Sequence, residues 1–265
     1  MLRVIINADD FGKNHKVNLA IKEEIEKGNI TSTTIMANAD GFDEAVSISK
    51  LYPHISYGVH LCLDEYKPLT TSDVFVKRGI VDGISGRFVK GKILKVKLDN
   101  ELKVAIGNEW DSQIKRLVDA GLTPSHIDSH HHVHTIAGLV PVLESLMKKY
   151  GISYVRGCYI VTLKNIIHGY RHFQGSCLLK ELVYLFLRYS LFLRRRKWMK
   201  EVSGKVKMTD FFCSASHFYD NKCFFERCRG IVVEIECHPG HKRYDIETKR
   251  LGCIKDIEKL SYKAF

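Results

Sequence analysis

At 265 residues with 45% hydrophobic content, the chain can bury a sizeable core and has a length at which α/β barrels remain one domain, so a single domain over 1–265 is expected. The formal charge of +11 is spread over lysines along helical segments; the one dense block, Arg194–Lys197, has no aromatic-interleaved basic motif beside it, which argues against nucleic acid as the partner. The opening apolar run turns acidic at Asp9, too soon for a signal peptide, and eight cysteines are too sparse for a disulfide scaffold, so a cytoplasmic protein with free buried thiols is expected.

Short β-type runs alternate with segments of helical period, the pattern of βα units and a parallel sheet. Arg3 to Ala8 reads as a first strand. Val17, Ala20, Ile21 and Ile25 recur at helical spacing up to Gly28. Thr33 to Ala37 is a second strand, Phe42 to Leu51 a second helix, and Ile55 to Leu63 a third strand. Between Lys67 and Leu98 the periodicity fails and glycines accumulate, which indicates a long excursion. A helical stripe returns through Leu102, Ile106, Trp110, Ile114 and Leu117 and closes at Gly121. A strand then leads into the histidine run, followed by a helix from Gly138 to Tyr150 and a short strand through Tyr154–Arg156.

The stretch Leu182–Leu193 is strongly apolar but holds Arg188 and falls short of the ~20 apolar residues that span a bilayer. No membrane span is expected. Leu182–Lys200 reads instead as an amphipathic helix on the barrel or on a second subunit, which leaves a homodimer open. Ile231–Cys237 is a late strand of the kind buried in parallel sheets.

The histidine run His126-Ile-Asp-Ser-His-His-His-Val-His134 carries the densest chemistry. If it is extended, His126, Asp128, His130, His132 and His134 share one face and His131 faces away. Imidazoles and carboxylates gathered in this way suit a divalent cation that activates water. Asp9-Asp10, His60, the histidine run, Arg156 and His238 all fall at or just past strand C-terminal ends, the end of a βα barrel that carries chemistry. Taken singly, each has a plainer reading: Asp10 as a helix cap, Asp9 as a turn residue, His60 as a core histidine, His238 as a strand terminator.

Together, Asn7-Ala-Asp-Asp-Phe-Gly12, Thr31-Ser-Thr-Thr34, Gly58-Val-His-Leu61, the histidine run and Cys237-His-Pro-Gly240 resemble the YdjC-like carbohydrate deacetylases, which include chitooligosaccharide deacetylases. The resemblance runs over 3–157 and returns at 209–240. It implies a distorted β/α barrel of about seven parallel strands that hydrolyses the N-acetyl group of an amino sugar with one divalent metal. It further implies Asp10, His60 and His130 as metal ligands, Asp9 as the general base and His238 as the general acid. Asp128 then suits a role orienting an imidazole, and His132, His134 and Arg156 either contact substrate or support the site. The resemblance implies magnesium, whereas imidazole ligands favour zinc or another transition metal. A metal phosphoesterase on a similar barrel and a non-catalytic metal- or glycan-binding protein are the competing readings. The sequence departs from the family at Glu236, where an apolar residue is expected, through a poorly matching insertion at about 158–208, and in stopping at Phe265 before the family's closing segment.

Overall fold

The computed structural model describes residues 2–158, 193, 195–227, 230–254 and 257–265. Its centre is a parallel sheet in the order β5-β4-β3-β2-β1-β7-β6. These strands are β1 (Arg3–Phe11), β2 (Ser32–Ile35), β3 (Ser56–Leu61), β4 (His126–Ser129), β5 (Tyr154–Val155), β6 (Phe211–Ser214) and β7 (Val232–Cys237). The two ends of this order meet. Val155 N donates to Lys207 O at 3.0 Å and Lys207 N to Ser153 O at 3.3 Å, which lays the segment entering β6 beside β5. The result is the expected distorted barrel of seven parallel strands, with one seam held by a single bridge. An eighth strand, β8 (Glu258–Leu260), pairs with the first residues of β1.

Side-chain alternation on β1 separates two environments. Val4, Ile6 and Ala8 enter the apolar layer between sheet and helices, whereas Ile5 packs with Val232 and Tyr262 inside the ring. Above Ile5 on the same inward face come Asn7 and Asp9, so the lumen is apolar at its floor and polar at its mouth. Helix α1 (His15–Glu26) starts where the Asn14 side chain accepts from Val17 N, and it buries Val17, Ile21 and Ile25. Asn14, rather than Asp10, is therefore the helix cap.

Helix α2 (Phe42–Leu51) buries Phe42, Ala45 and Val46. The excursion between Lys67 and Leu98 contains a short helix α3 (Asp73–Lys77) and a 3-10 turn, Lys92–Lys95, which its glycines had concealed. Helix α4 (Asn100–Asp119) lays Leu102, Ile106, Trp110, Ile114 and Leu117 on the barrel wall. Each such burial removes about 1.5–3 kcal/mol of apolar exposure before chain entropy is counted. Two polar side chains on α4 are also buried and fully used: Gln113 bonds Cys62 N and O, and Glu109 accepts from Leu69 N, Thr70 N and Thr70 Oγ1. They tie the loop after β3 to the barrel. Helix α5 (Val140–Tyr150) follows, ended by Gly151 in the left-handed region.

Two strands, β6 and β8, of four and three residues, have no counterpart in the sequence reading. The Leu182–Lys200 segment lies largely outside the described residues. Its end is helical through Val202, with Trp198 and Val202 buried. Among the described residues no helix is long and apolar enough to cross a membrane. Cys62, Cys158, Cys213 and Cys237 are buried free thiols, whereas Cys223 and Cys253 are exposed.

Candidate metal and catalytic site at the barrel mouth

Two adjacent aspartates in a regular strand would point to opposite faces. Here the pairing of β1 with β2 shifts register between Ala8 and Phe11, and Asp10 takes a left-handed φ of 68°. Aspartate tolerates that conformation better than most residues, so the bulge turns both carboxylates toward the mouth. Both are buried, each 2% exposed.

Asp10 meets two imidazoles. Its Oδ1 lies 3.2 Å from His60 Nε2 and 2.8 Å from His130 Nδ1. Ligand atoms of all three residues lie within 4.8 Å of one another. Despite those distances, buried Asp10 Oδ1 has no partner with hydrogen-bond geometry. A buried carboxylate oxygen facing two ring nitrogens off-axis fits a cation among the three better than it fits hydrogen bonds. His60 is further prepared: its Nδ1 sits 2.7 Å from Asp128 Oδ1 and 3.1 Å from Thr34 Oγ1, which fixes the ring and leaves Nε2 toward Asp10. Burial would lower the His60 pKa, but Asp128 and Asp10 raise it to about 10. Burial would likewise raise Asp10, yet the imidazoles around it hold it well below the usual carboxylate range.

Asp9 has a different partner. Arg156 is fully buried; its Nη1 and Nη2 donate to Asp9 Oδ2 and Oδ1 at 2.6 and 2.7 Å, and its Nε donates to Glu234 Oε1 at 2.6 Å. Asp128 Oδ2 lies 2.9 Å from the same guanidinium. Asn7 Nδ2 adds a bond to Asp9 Oδ1 at 2.9 Å. Burial alone would raise the Asp9 carboxyl, but the guanidinium against it holds it well below the usual range. His238, in the loop after β7, places Nε2 3.9 Å from Asp9 Oδ2 and Nδ1 3.1 Å from Glu247 Oε2. Burial would lower its pKa; Glu247 and Asp9 raise it to about 9. Glu247 is thus the carboxylate that holds His238 charged, whereas Glu234 lies deeper and is committed to Arg156.

The histidine run does not stay extended. Strand β4 ends at Ser129, and His131 and His132 both take left-handed backbone conformations, so the shared face stops at Asp128. Four histidines and an aspartate on one strand face would crowd like groups; the turn distributes them instead. His126 points into the lumen below the site. His130 reaches Asp10. His131 is paired with Asp64 at the rim, 2.6 Å apart, rather than facing away from it. His132 stands 3.8 Å from Glu236 Oε2 and edge-on to Phe212. His134 is fully buried, between Ser129 Oγ at 2.5 Å and Arg156 O at 3.1 Å, and burial lowers its pKa to about 3. His134 and Arg156 are therefore both fully buried within the site.

Several site residues were not read from the sequence. His241 Nε2 lies 3.1 Å from Asp10 Oδ2; its position three residues past His238, beyond a Pro-Gly turn, was the available signal. Lys13 Nζ bridges Asp10 Oδ2 at 3.4 Å and Glu65 Oε2 at 2.9 Å, and Glu65 also meets His130 Nε2 at 2.8 Å. Glu236 Oε2, on the inward face of β7, lies 3.6 Å from Arg156 Nη1.

The fold and site define a parallel β/α-barrel protein with a carboxylate-and-imidazole cluster at the C-terminal ends of its strands. The chain belongs to the YdjC-like protein family, whose model matches residues 3–260. It is 35% identical to a carbohydrate deacetylase of Halalkalibacterium halodurans, over 57% of this chain and 62% of that one. To a carbohydrate deacetylase of Brevibacillus brevis it is 38% identical over 57% and 58% of the two chains. A chitooligosaccharide deacetylase of Klebsiella pneumoniae is 33% identical over 57% of each. The matched region thus spans about three fifths of the length of these relatives. The fold is shared with a solved structure from Enterococcus faecalis V583 named a "putative cellobiose-phosphate cleavage protein", at a TM-score of 0.64 and 24% identity over 98% of this chain and 97% of that one.

Proposed function

We propose that this chain is a cytoplasmic, metal-dependent hydrolase that removes the N-acetyl group of acetylated amino sugars or short chitooligosaccharide-type chains and releases acetate. The observation that carries the reading is the Asp10–His60–His130 cluster, set beside the Asp9 carboxylate gripped by Arg156 and the His238 imidazole anchored by Glu247. A divalent cation held by Asp10, His60 and His130, magnesium by resemblance or zinc by ligand chemistry, would supply Lewis-acid polarisation and a more acidic water.

The protein's own groups do the rest. Asp9 accepts the proton of the attacking water, and Arg156 holds its two oxygens in place. His238 donates from Nε2 to the departing amine, a poor leaving group until protonated, while Glu247 anchors Nδ1. Asp128 keeps His60 in the tautomer that leaves Nε2 for the cation. His132, at the mouth beside Glu236, is placed to touch the sugar. A two-metal phosphoesterase would call on further carboxylates, but Asp9, Asp128 and Glu234 are committed to Arg156, Glu65 to Lys13 and Asp64 to His131. A homodimer remains part of this reading through the Leu182–Lys200 segment.

The test is acetate release from a panel of N-acetylated sugars, before and after chelation, with elemental analysis of the purified chain. Metal-restored acetate release supports the reading. No release with magnesium, zinc, cobalt or nickel would end it.

A further inference from the structure

We propose that Tyr262 is a positioning residue that holds Asp9 from the floor of the barrel through two arms, one starting at its hydroxyl and one at its ring. The inference rests on the reading that Asp9 acts in the hydrolysis. Tyr262 follows β8, enters the lumen from below and is 3% exposed, packed against Ile5 and Val232.

In the first arm the Tyr262 hydroxyl donates to Glu234 Oε2 at 2.6 Å. The other oxygen of that carboxylate receives Arg156 Nε at 2.6 Å, and the two Nη groups of Arg156 grip Asp9. Arg156 is contested by the carboxylates of Asp9, Asp128 and Glu234 and, at 3.6 Å, of Glu236, so its orientation depends on how firmly each is held. Pinning Glu234 at both oxygens fixes the line of Nε–H and therefore the fork presented to Asp9. In the second arm the Tyr262 ring stacks on His126, with centroids 3.8 Å apart and planes at 18°. His126 Nε2 lies 3.2 Å from Asn7 Oδ1, and Asn7 Nδ2 donates to Asp9 Oδ1 at 2.9 Å. Both arms end on the same carboxylate.

Tyr262→Phe keeps the ring and cuts only the first arm. The expected result is a kcat lowered roughly 10–100-fold, with KM within about twofold and metal stoichiometry unchanged. An unchanged kcat, or a fall matched by loss of metal or by a rise in KM, would overturn the proposal.

A second measurement needs no turnover and keeps every tyrosine ring and hydroxyl: nitrogen-15 NMR of the arginine side chains in the whole chain, with tyrosine replaced globally by the more acidic 3-fluorotyrosine. The protected Nε–H signal of buried Arg156 should shift as its shared carboxylate is bonded more strongly; an unmoved signal sinks the proposal. A parent chain that releases no acetate defeats the deacetylase reading alone, and the NMR result still decides the tether.

Discussion

Charge on the two neighbouring aspartates is governed by what surrounds each. Asp10 faces imidazoles that a cation can replace as partners, whereas Asp9 faces a guanidinium that cannot lose its proton. His130→Ala removes one of the three proposed ligands, so metal content and activity should fall together in elemental analysis and acetate assays; full occupancy in the variant would refute the ligand assignment. Asp9→Asn keeps the shape but cannot take a proton. It should lower turnover by roughly 10²–10⁴-fold while metal stays bound. Activity within a few-fold of the parent would remove Asp9 as the base.

The pH dependence follows from the same environments. His238 has its pKa raised to about 9, so its acid form is complete at neutral pH and is lost as pH rises through that value. The rate should therefore fall on the basic side near pH 9. Glu247→Gln removes the strongest raising partner and should move that limb to lower pH; His238→Ala should abolish it. A limb that stays put in both variants belongs to another group. On the acidic side, Asp9 is held so low by Arg156 that its protonation sets no limb near neutrality, contrary to the bell shape a free carboxylate would give. His60, raised to about 10 without a cation, must lose a proton to bind one, so metal affinity should rise with pH. Titrations at several pH values, with the protons released counted, would check this.

At the scale of elements, local irregularities build the site. The β1 bulge turns Asp9 and Asp10 to one mouth, and the left-handed pair at His131 and His132 ends the alternation of β4 and sends each histidine to its own partner. Gly58, on β3, shows how tight the lumen is. A Cβ there would lie 2.6 Å from His126 Cε1 and 2.7 Å from its carbonyl oxygen, so the strands approach closely because this residue has no side chain. Gly58→Ala should cost about 1–3 kcal/mol in urea unfolding and, by displacing His126, weaken the Asn7 hold on Asp9. Unchanged stability would mean that the β3–β4 seam can spread.

Across the whole molecule, a fully buried arginine surrounded by Asp9, Asp128 and Glu234 closes the barrel from within as much as the β5–β6 seam does from without. Arg156→Met would leave those carboxylates without their cation and should cost roughly 3–5 kcal/mol, read in the same unfolding experiment. A variant as stable as the parent would show that the carboxylates take up protons instead. The sequence by itself determined the alternation of strands and helices, the apolar stripe of α4, and the motifs that put Asp9, Asp10, His60, His130 and His238 at strand C-terminal ends. Those features repeat at a fixed period or stand in a short motif, so they can be read locally. Tertiary structure alone decided that Arg156 grips Asp9 across 147 residues, that Glu247 serves His238, that the histidine run breaks at Ser129, and that Tyr262 reaches the lumen. These pairings arise where barrel closure brings inward faces together, and no periodicity along the chain records which inward side chains will meet.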